Sequence, residues 1–199
     1  MILARGGSKR LPGKNLKIFN GKPLIAYSIS AALKCKYLDM IIVSSEDKKI
    51  LEISKKYGAK TINRPEYLSS DKAKSSSALK HVLKNFPNFD YVVLLQPTSP
   101  LRNEKHIDKA INLLEKKNAD AIISVCKANS SSNLSNPLPK NLSMENFFNK
   151  KRNIEINNMY KLNGAIYICK VNAFQKENSL FLKKKNLCFQ DASKKVNRY

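Results

Sequence analysis

Short apolar segments alternate with amphipathic segments along most of the chain, which is the pattern of an α/β domain. The apolar segments are nearly continuous in Val, Ile and Leu, so we predict strands covered on both faces: Met1–Ala4, Met40–Ser44, Lys60–Asn63, Tyr91–Leu95, Ala121–Val125 and Ala165–Cys169. Apolar residues at intervals of three and four predict helices between them, over Leu24–Lys34, Asp47–Tyr57, Ser75–Phe86 and Lys105–Lys116. This order predicts an α/β fold with a mostly parallel sheet.

The alternation stops between Lys127 and Asn163, where serine, proline and asparagine are frequent. Aromatic and aliphatic residues continue through this segment, so we interpret it as a long excursion of an ordered domain. A connection of this length inside a compact domain is usually functional or part of an interface. Because no second boundary is visible, we interpret residues 1–199 as one domain.

Length and composition exclude several classes of protein. The 199 residues suffice for one buried core, and no apolar stretch approaches the roughly 20 residues that span a bilayer. The first residues lack the basic-then-apolar order of a secretion signal, so we expect a cytoplasmic protein without a membrane partner. The four cysteines lie far apart and only two histidines are present, which predicts reduced, mostly buried thiols rather than a zinc site or disulfides.

The formal net charge of +22 at pH 7 raises nucleic acid as a possible partner. The excess is spread along the chain, however, with +13 over residues 1–139 and +9 over residues 140–199. Lysine dominates, and no stripe interleaves it with aromatic residues as single-strand binders do. We therefore expect a polyanionic small molecule, such as a nucleoside triphosphate, and no nucleic acid. RNA binding that stays tight at physiological salt would favour the alternative.

A basic, glycine-rich segment follows the first predicted strand and reads A-R-G-G-S-K-R-L-P-G-K-N at residues 4–15. Its glycines allow a tight turn that presents N–H groups to phosphate oxygens, while arginines and lysines supply positive charge. The spacing fits neither G-x-x-x-x-G-K-[ST] nor G-x-G-x-x-G. The segment is either a triphosphate cradle or a basic turn without a ligand. Its place at a strand end, where open α/β sheets bind ligands, favours the cradle.

Further motifs follow in a set order: G-K-P-L-I-A-Y-S-I at 21–29, V-S-S-E-D at 43–47, R-P at 64–65, L-Q-P-T-S-P-L-R at 95–102 and N-G-A-I-Y-I at 163–168. Together with residues 4–15, they make the chain similar to the acylneuraminate cytidylyltransferase family. This family comprises the CMP-sialic acid synthetases and their relatives for pseudaminic and legionaminic acids. The resemblance extends to about Ser193. It implies a three-layer α/β/α, Rossmann-like domain of the nucleotide-diphospho-sugar transferase type.

The resemblance implies that the anomeric hydroxyl of an acidic nine-carbon sugar attacks the α-phosphorus of CTP and that pyrophosphate leaves. Arg5 and Lys14 match the residues that contact the triphosphate, and they are the catalytic candidates. Asn15 and Arg64 match positions that hold the nucleotide and read cytosine, for which an amide and a guanidinium offer suitable donors. The implied nucleotide site contains Ala4, Arg5, Gly6, Gly7, Ser8, Lys14, Asn15 and Arg64.

The sugar side of the implied pocket contains Gln96, Lys161, Asn163, Tyr167 and Phe181. Purely structural roles stay open for several of these residues. Asn163 begins a good turn dipeptide, Tyr167 alternates with isoleucines as in any buried strand, and Leu180-Phe181 is equally compatible with core packing. Arg102 and Lys161 are either partners of the sugar carboxylate or solvated charges. The choice among sialic, pseudaminic and legionaminic acids stays open.

Family members carry an S-I-D-I-D-like stretch after the final strand, whose carboxylates hold Mg²⁺ against the CTP phosphates. Here Asp191 is followed at once by Ala192-Ser193 and Lys194-Lys195, and positive charge opposes Mg²⁺ binding. We therefore expect Mg²⁺ as a cofactor with Asp191 as the one nearby ligand, and the metal segment missing after residue 193. The alternative to an active enzyme is a truncated, catalytically impaired CTP-binding homologue. The resemblance also implies a homodimer with residues 127–163 at its interface.

Overall fold

The computed structural model describes residues 1–128, 135–145, 147 and 159–190. The observed strands are β1 (Ile2–Leu3), β2 (Ile18–Phe19), β3 (Lys22–Pro23), β4 (Ile42–Ser45), β5 (Lys60–Asn63), β6 (Tyr91–Leu95), β7 (Ala121–Lys127), β8 (Ser135–Pro137), β9 (Met159–Lys170) and β10 (Asn186–Gln190). The helices are α1 (Leu24–Leu33), α2 (Lys48–Lys56), α3 (Ser75–Asn85), α4 (Glu104–Lys116) and α5 (Val171–Glu177). Every strand and helix predicted from the sequence is present, and the α/β fold is confirmed.

The main sheet consists of two halves that meet at β1. One half has the order β1-β4-β5, and its strands are parallel. The other has the order β10-β7-β9-β6, in which β10 is parallel to β7 and β9 is antiparallel to both of its neighbours. The Met1 backbone nitrogen donates to the Val93 carbonyl (2.6 Å) and the Leu95 N–H donates to the Met1 carbonyl (3.0 Å). These bonds connect β1 to β6, so the halves form one continuous sheet.

Strand β9 makes the sheet mixed, a feature that the apolar pattern does not predict. A strand buried on both faces has the same composition whichever way it runs, so the pattern indicates burial and not direction. The pairing of β7 with β9 also shifts register, because Ile123 faces Tyr167 while Val125 faces Leu162. Gly164 lies in the resulting bulge with a φ of 73°, a backbone conformation that favours glycine.

Helices cover both faces of the sheet and bury two separate apolar clusters. On one face, helices α1, α2 and α4 pack on alternate strand residues such as Val93 and Leu95. On the other face, helices α3 and α5 pack on the intervening residues, including Val92 and Leu94. This alternation gives the three layers of the α/β/α arrangement. No helix in the described part of the chain is long and apolar enough to cross a membrane.

The described part of the excursion folds back onto the same domain. Strand β8 pairs with β9, so that Ser135 lies opposite Lys161. Met144 and Phe147 are both 3% exposed and pack in a small cluster with Val125 and Cys188. Residues 129–134, 146 and 148–158 lie outside the described residues. The dimer interface expected over residues 127–163 therefore stays a prediction.

The cysteines differ in accessibility, which gives a chemical test of the fold. All four are reduced, with Cys35, Cys169 and Cys188 buried and Cys126 partly exposed. Burial raises the pKa of Cys35 and of Cys169 to about 12 and that of Cys188 to about 11. Because thiolates are the reactive form, we expect a disulfide reagent at pH 8 to label Cys126 first and the others only on unfolding. Two fast-reacting thiols in the native protein, or an unchanged fast phase in Cys126→Ser, would contradict this packing.

Candidate nucleotide site

The basic glycine segment leaves β1 at the edge of the sheet where β4 and β5 also end. The Ala4 N–H donates to the Ser44 carbonyl (3.1 Å), and the Arg64 N–H donates to the Ser45 carbonyl (2.8 Å). These bonds place the segment after β1 and the residues that follow β4 and β5 side by side. In open α/β sheets, ligands bind at the carboxyl ends of neighbouring parallel strands. The predicted cradle is thus located at a ligand-binding edge.

Glu46 joins the glycine segment to Arg64. Its Oε1 accepts a hydrogen bond from the Gly6 N–H (2.8 Å), and its Oε2 accepts one from Nη2 of Arg64 (3.0 Å). Arg64 is only 5% exposed, and its Nε is buried without a hydrogen-bond partner among the described residues. Gly6 therefore lies beside Arg64 and Glu46, and its N–H is bound to Glu46.

The charge of Glu46 offsets the charge of Arg64. Burial by itself raises the pKa of Glu46, but hydrogen bonding to the carboxylate, which includes the bonds from the Gly6 N–H and from Arg64, outweighs burial. The pKa is therefore below the ordinary value of 4.5, and the carboxylate is ionised at neutral pH. The two side chains together carry no net charge. Such an arginine is suited to hydrogen-bonding a base or ribose rather than to neutralising phosphate.

Arg5 and Lys9 form the exposed, cationic part of the site. Both contact Asp71, with Arg5 Nη1 at 2.7 Å from Oδ1 and Lys9 Nζ at 2.6 Å from Oδ2. Hydrogen bonds from Lys9 and then from Arg5 lower the pKa of this carboxyl. Two cations around one carboxylate leave a net positive charge, and exposed ion pairs are weak. A phosphate group is therefore able to replace Asp71 at Arg5.

The end of the glycine segment is closed by Asn15. This residue is 6% exposed, and its Nδ2 donates to the Arg5 carbonyl (2.9 Å). It lies in a 3₁₀ turn over Lys14–Leu16, which begins after Gly13 in the left-handed conformation (φ 64°). Lys14 on this turn is partly exposed, as is Ser8, while Gly7 is exposed. The structure thus brings Ala4, Arg5, Gly6, Asn15 and Arg64 into one hydrogen-bonded network.

Gly6 also packs closely against Asp47, the residue that caps helix α2. The Asp47 Oδ1 accepts hydrogen bonds from the backbone of Lys49 (2.8 Å) and Ile50 (3.3 Å), which is N-capping. A Cβ added to Gly6 would lie 2.6 Å from Oδ2 of Asp47. Space, and not backbone conformation, therefore requires glycine here. The motif V-S-S-E-D marked this region, but the contacts of Glu46 and Asp47 were not predicted.

Two of the predicted sugar-side residues, Gln96 and Asn163, lie further along the same edge. Gln96 is partly exposed just after β6, and its carbonyl accepts a hydrogen bond from Oγ of Ser28 (3.3 Å). Asn163 lies in the bulge of β9, where its Oδ1 accepts from Oγ of Ser124 (2.5 Å) and from the Ala165 N–H (3.0 Å). The carboxamide oxygen of Asn163 therefore holds the bulge in shape.

Tyr167 and Phe181 form an edge-to-face aromatic pair, with ring centroids 5.9 Å apart and an interplanar angle of 75°. Tyr167 is 8% exposed and belongs to a core cluster, whereas Phe181 is 42% exposed. Leu180 is 7% exposed and packs in the same core, so the two residues of the Leu180-Phe181 pair differ in role. Lys161 is exposed on β9 opposite Cys126.

Arg102 is not a solvated charge, because it is only 3% exposed. Its Nη2 donates to Oγ of Ser28 (2.6 Å), and its Nη1 lies 3.5 Å from the Ala165 carbonyl oxygen. Since Ser28 also donates to the Gln96 carbonyl, Arg102 connects helix α1, strand β9 and the turn after β6. Of the two alternatives left open for Arg102, the solvated charge is therefore wrong, because the contacts that bury this arginine come from distant parts of the chain and are not visible in the sequence.

The described residues do not offer a ready site for Mg²⁺. In the ranges that the structure describes, no three His, Cys, Asp or Glu side chains are grouped so that they could hold a metal ion. Glu46 and Asp71, the carboxylates that contact the glycine segment and its cations, are each bound to an arginine. Asp191, the ligand predicted from the sequence, lies outside the described residues. No chemical step is therefore assigned to a metal held by the residues described.

Ser124 gives a test of how the bulge is held. Its Oγ donates to Asn163 and accepts from the Ile166 N–H (2.8 Å), so we expect Ser124→Ala to destabilise the fold by about 1–3 kcal/mol. Ser44 is the matched control, because it is also fully buried but its hydroxyl has no hydrogen-bond partner in the described part of the chain. Ser44→Ala should leave stability unchanged or raise it. Equal losses in the urea midpoints of the two variants would contradict this assignment.

The cationic glycine segment and the buried arginine lie at the carboxyl edge of a sheet that has helices on both faces. This arrangement is typical of α/β nucleotide-binding domains. A family profile described as Cytidylyltransferase matches residues 1–194. The chain belongs to this family, and the resemblance inferred from its motifs is confirmed.

Among relatives, the N-acylneuraminate cytidylyltransferase of Escherichia coli O18:K1:H7 is 37% identical over 177 residues, which cover 84% of this chain and 41% of that protein. The CMP-N,N'-diacetyllegionaminic acid synthase of Legionella pneumophila is 38% identical over 186 residues, covering 84% of this chain and 75% of that protein. The chain thus spans less than half the length of the E. coli relative.

Among solved structures, CMP:2-keto-3-deoxy-manno-octonic acid synthetase complexed with CTP superposes with a TM-score of 0.72. The match covers 96% of this chain and 88% of that chain at 18% identity. At this identity the similarity establishes the Rossmann-like, nucleotide-sugar transferase type of fold and nothing finer.

Proposed function

We propose that this chain transfers the cytidylyl group of CTP to an acidic nine-carbon sugar of the sialic acid type, releasing pyrophosphate. The observation that carries the proposal is the division of charge at the site. A buried Arg64, neutralised by Glu46, lies beside the exposed, net positive group of Arg5 and Lys9. The first part suits a base or ribose and the second a triphosphate. The names of the E. coli and Legionella relatives support an acidic sugar as acceptor.

In the proposed reaction the anomeric oxygen of the sugar forms a bond to the α-phosphorus of CTP. The bond from this phosphorus to the bridging oxygen of the β-phosphate breaks, and pyrophosphate leaves while the hydroxyl proton passes to solvent. The protein contributes mainly positioning and neutralisation of charge. Arg5 and Lys14 bind the triphosphate, assisted by the N–H groups of Gly7 and Ser8. The Gly6 N–H is not included among these donors, because it is bound to Glu46.

The remaining predicted residues divide between the two substrates. Asn15 and Arg64, with the backbone of Ala4, hold the cytidine. Gln96, Asn163 and Tyr167 form the acceptor side, where exposed Phe181 offers an apolar surface and Lys161 a cation for the sugar carboxylate. The proposal further includes Mg²⁺ supplied with CTP, with Asp191 as its candidate protein ligand. It also includes a cytoplasmic homodimer that uses residues 127–163, for which the length of the excursion and the family resemblance are the support.

The test is pyrophosphate release by the purified chain with CTP, Mg²⁺ and each of sialic, pseudaminic and legionaminic acids, with mass spectrometry of the product. We expect one sugar to be turned over, and turnover to fall strongly in Arg5→Met. Lys17→Met, which removes an exposed charge just after the 3₁₀ turn, is the matched control. CTP binding without turnover of any sugar would replace the proposal by the impaired CTP-binding homologue. A chain that does not bind CTP would refute both.

A further inference from the structure

We infer that Glu46 is a positioning residue that sets the base preference of the nucleotide site by fixing Arg64 against the glycine segment. The inference rests on the proposed function, because it concerns the same site. Glu46 is not among the site residues that the family resemblance implies, and this role for it is new.

The first argument is geometric. Strand β4 lies between β1 and β5, so Glu46, which directly follows β4, is placed between the segments that follow the two outer strands. Its two carboxylate oxygens bind one donor on each side, at 2.8 Å for the Gly6 N–H and 3.0 Å for Nη2 of Arg64. A carboxylate that accepts from both sides holds them at a set distance. The phosphate part and the arginine part of the site are therefore positioned relative to each other.

The second argument concerns the free donors of Arg64. Its backbone is held by the hydrogen bond to Ser45, and Glu46 restrains one edge of the planar guanidinium. Its Nε is buried without a partner in the described part of the chain, although a buried N–H without an acceptor is costly. A ligand atom that accepts a hydrogen bond would remove this cost. Cytosine offers two adjacent acceptors, O2 and N3, whereas uracil carries a hydrogen on N3.

The third argument is electrostatic. With Glu46 ionised, Arg64 adds no net charge and has no strong attraction for phosphate, so its donors stay directed at the base. Without that carboxylate, Arg64 becomes an unpaired cation near the triphosphate region and is free to rotate. Loss of Glu46 should therefore reduce discrimination between bases but not affinity for phosphates. General structural damage would have a different effect, because it would weaken the binding of every ligand.

The experiment compares the dissociation constants of CTP, UTP and inorganic tripolyphosphate, measured by calorimetry on the full chain. The variants are Glu46→Gln, Arg64→Lys and the double variant. Glu52→Gln is the matched control, because it makes the same chemical change at an exposed position of helix α2. We expect Glu46→Gln to lower the preference for CTP over UTP about tenfold, the scale of one charged hydrogen bond. Tripolyphosphate should bind as tightly as before or more tightly.

The double variant shows whether Glu46 acts through Arg64. If it does, the double variant loses no more base preference than Arg64→Lys alone, because both changes remove the same interaction. Arg64→Lys also keeps the test decisive if Glu46→Gln folds poorly, since it retains the positive charge but cannot hold a planar pair of donors. In that case, an unchanged preference for CTP over UTP in Arg64→Lys would overturn the inference.

Three further results would overturn the inference, and they separate it from the proposed function. An unaltered chain that binds no nucleotide would overturn the proposed function and the inference with it. A chain that prefers CTP, and keeps that preference in Glu46→Gln, would overturn the inference alone. Equal losses for CTP, UTP and tripolyphosphate in Glu46→Gln would also overturn it, because they would show that Glu46 only supports the local fold.

Discussion

Alanine in place of Gly6 is expected to weaken CTP binding roughly a hundredfold, whereas alanine in place of Gly7 should leave CTP binding nearly unchanged. A Cβ on Gly6 would lie 2.6 Å from Oδ2, 3.2 Å from Cγ and 3.0 Å from Cβ of Asp47. Because the contact includes Cβ and Cγ, rotation of the carboxylate alone does not relieve it. Either the glycine segment or the start of helix α2 must move.

The size of this effect follows from the two contacts that are disturbed. Overpacking of this kind costs about 1–3 kcal/mol, and loss of the Asp47 cap costs about 1 kcal/mol more. Since about 1.4 kcal/mol corresponds to a tenfold change in affinity, a loss of roughly a hundredfold results if the strain falls on the binding site. Part of the strain should also appear as a lower free energy of unfolding.

Gly7→Ala is the internal control, because a Cβ at that position meets no atom within 4 Å. Both variants keep every backbone N–H group, so they differ in steric demand alone. Calorimetric titration of CTP together with thermal unfolding of the two variants provides the measurement. Similar losses of affinity in both variants would show that the segment is sensitive to any side chain, and the assigned contact with Asp47 would then be wrong.

Replacing Arg102 by methionine is expected to lower the free energy of unfolding by about 3 kcal/mol, because hydrogen bonds to a buried charged group contribute about 1.5–3 kcal/mol each. Methionine fills much of the same volume but donates nothing to Ser28 or to the Ala165 carbonyl. The turn after β6 then loses its connection to helix α1 and strand β9. Gln96 begins this turn, so the acceptor side of the site should be displaced.

The expected kinetic result is a split between the two substrates of the proposed reaction. The KM for the sugar should rise in Arg102→Met, while the dissociation constant of CTP changes little, since the glycine segment and Arg64 make none of the Arg102 contacts named above. Lys105→Met, an exposed substitution in the first turn of helix α4, is the control and should alter neither quantity. Wild-type stability in Arg102→Met would contradict the stabilising role assigned to the hydrogen bonds of Arg102.

The sequence predicts those features that depend on local pattern. Helix α3 is predicted from Ser75 to Phe86 and observed from Ser75 to Asn85, and β6 is observed over Tyr91–Leu95 as predicted. Strand β10 was not predicted, because its five residues N-L-C-F-Q follow a run of lysines and show no clear period. The direction of β9 was also not predicted. It depends on connections across the whole sheet and does not change the residue composition of the strand.

In the candidate site, too, the local features were predictable and the long-range contacts were not. Glycines and cations adjacent in sequence, such as Arg5 and Gly6, are visible as a motif because they are local. Glu46 is 40 residues from Gly6 and 18 from Arg64, so its double hydrogen bond exists only after three strands have paired. Arg102 is likewise 74 residues from Ser28. Interactions of this kind cannot be predicted from spacing, because they depend on the register of the sheet.

The position of β9 has a consequence for the order in which the chain folds during synthesis. Strands β6 and β7 are neighbours in sequence, yet they lie on opposite sides of β9 in the sheet. A nascent chain that has emerged only as far as residue 158 therefore carries β6 without a partner along one edge and β7 without a partner along either edge, because β9 and β10 both follow residue 158. Unpaired edges of this kind are templates for association with other chains. Strand β6 is paired along both edges only after residues 159–170 have emerged, so translation pauses ahead of Met159 should favour aggregation more strongly than pauses after Lys170, when only β10 is still missing from β7.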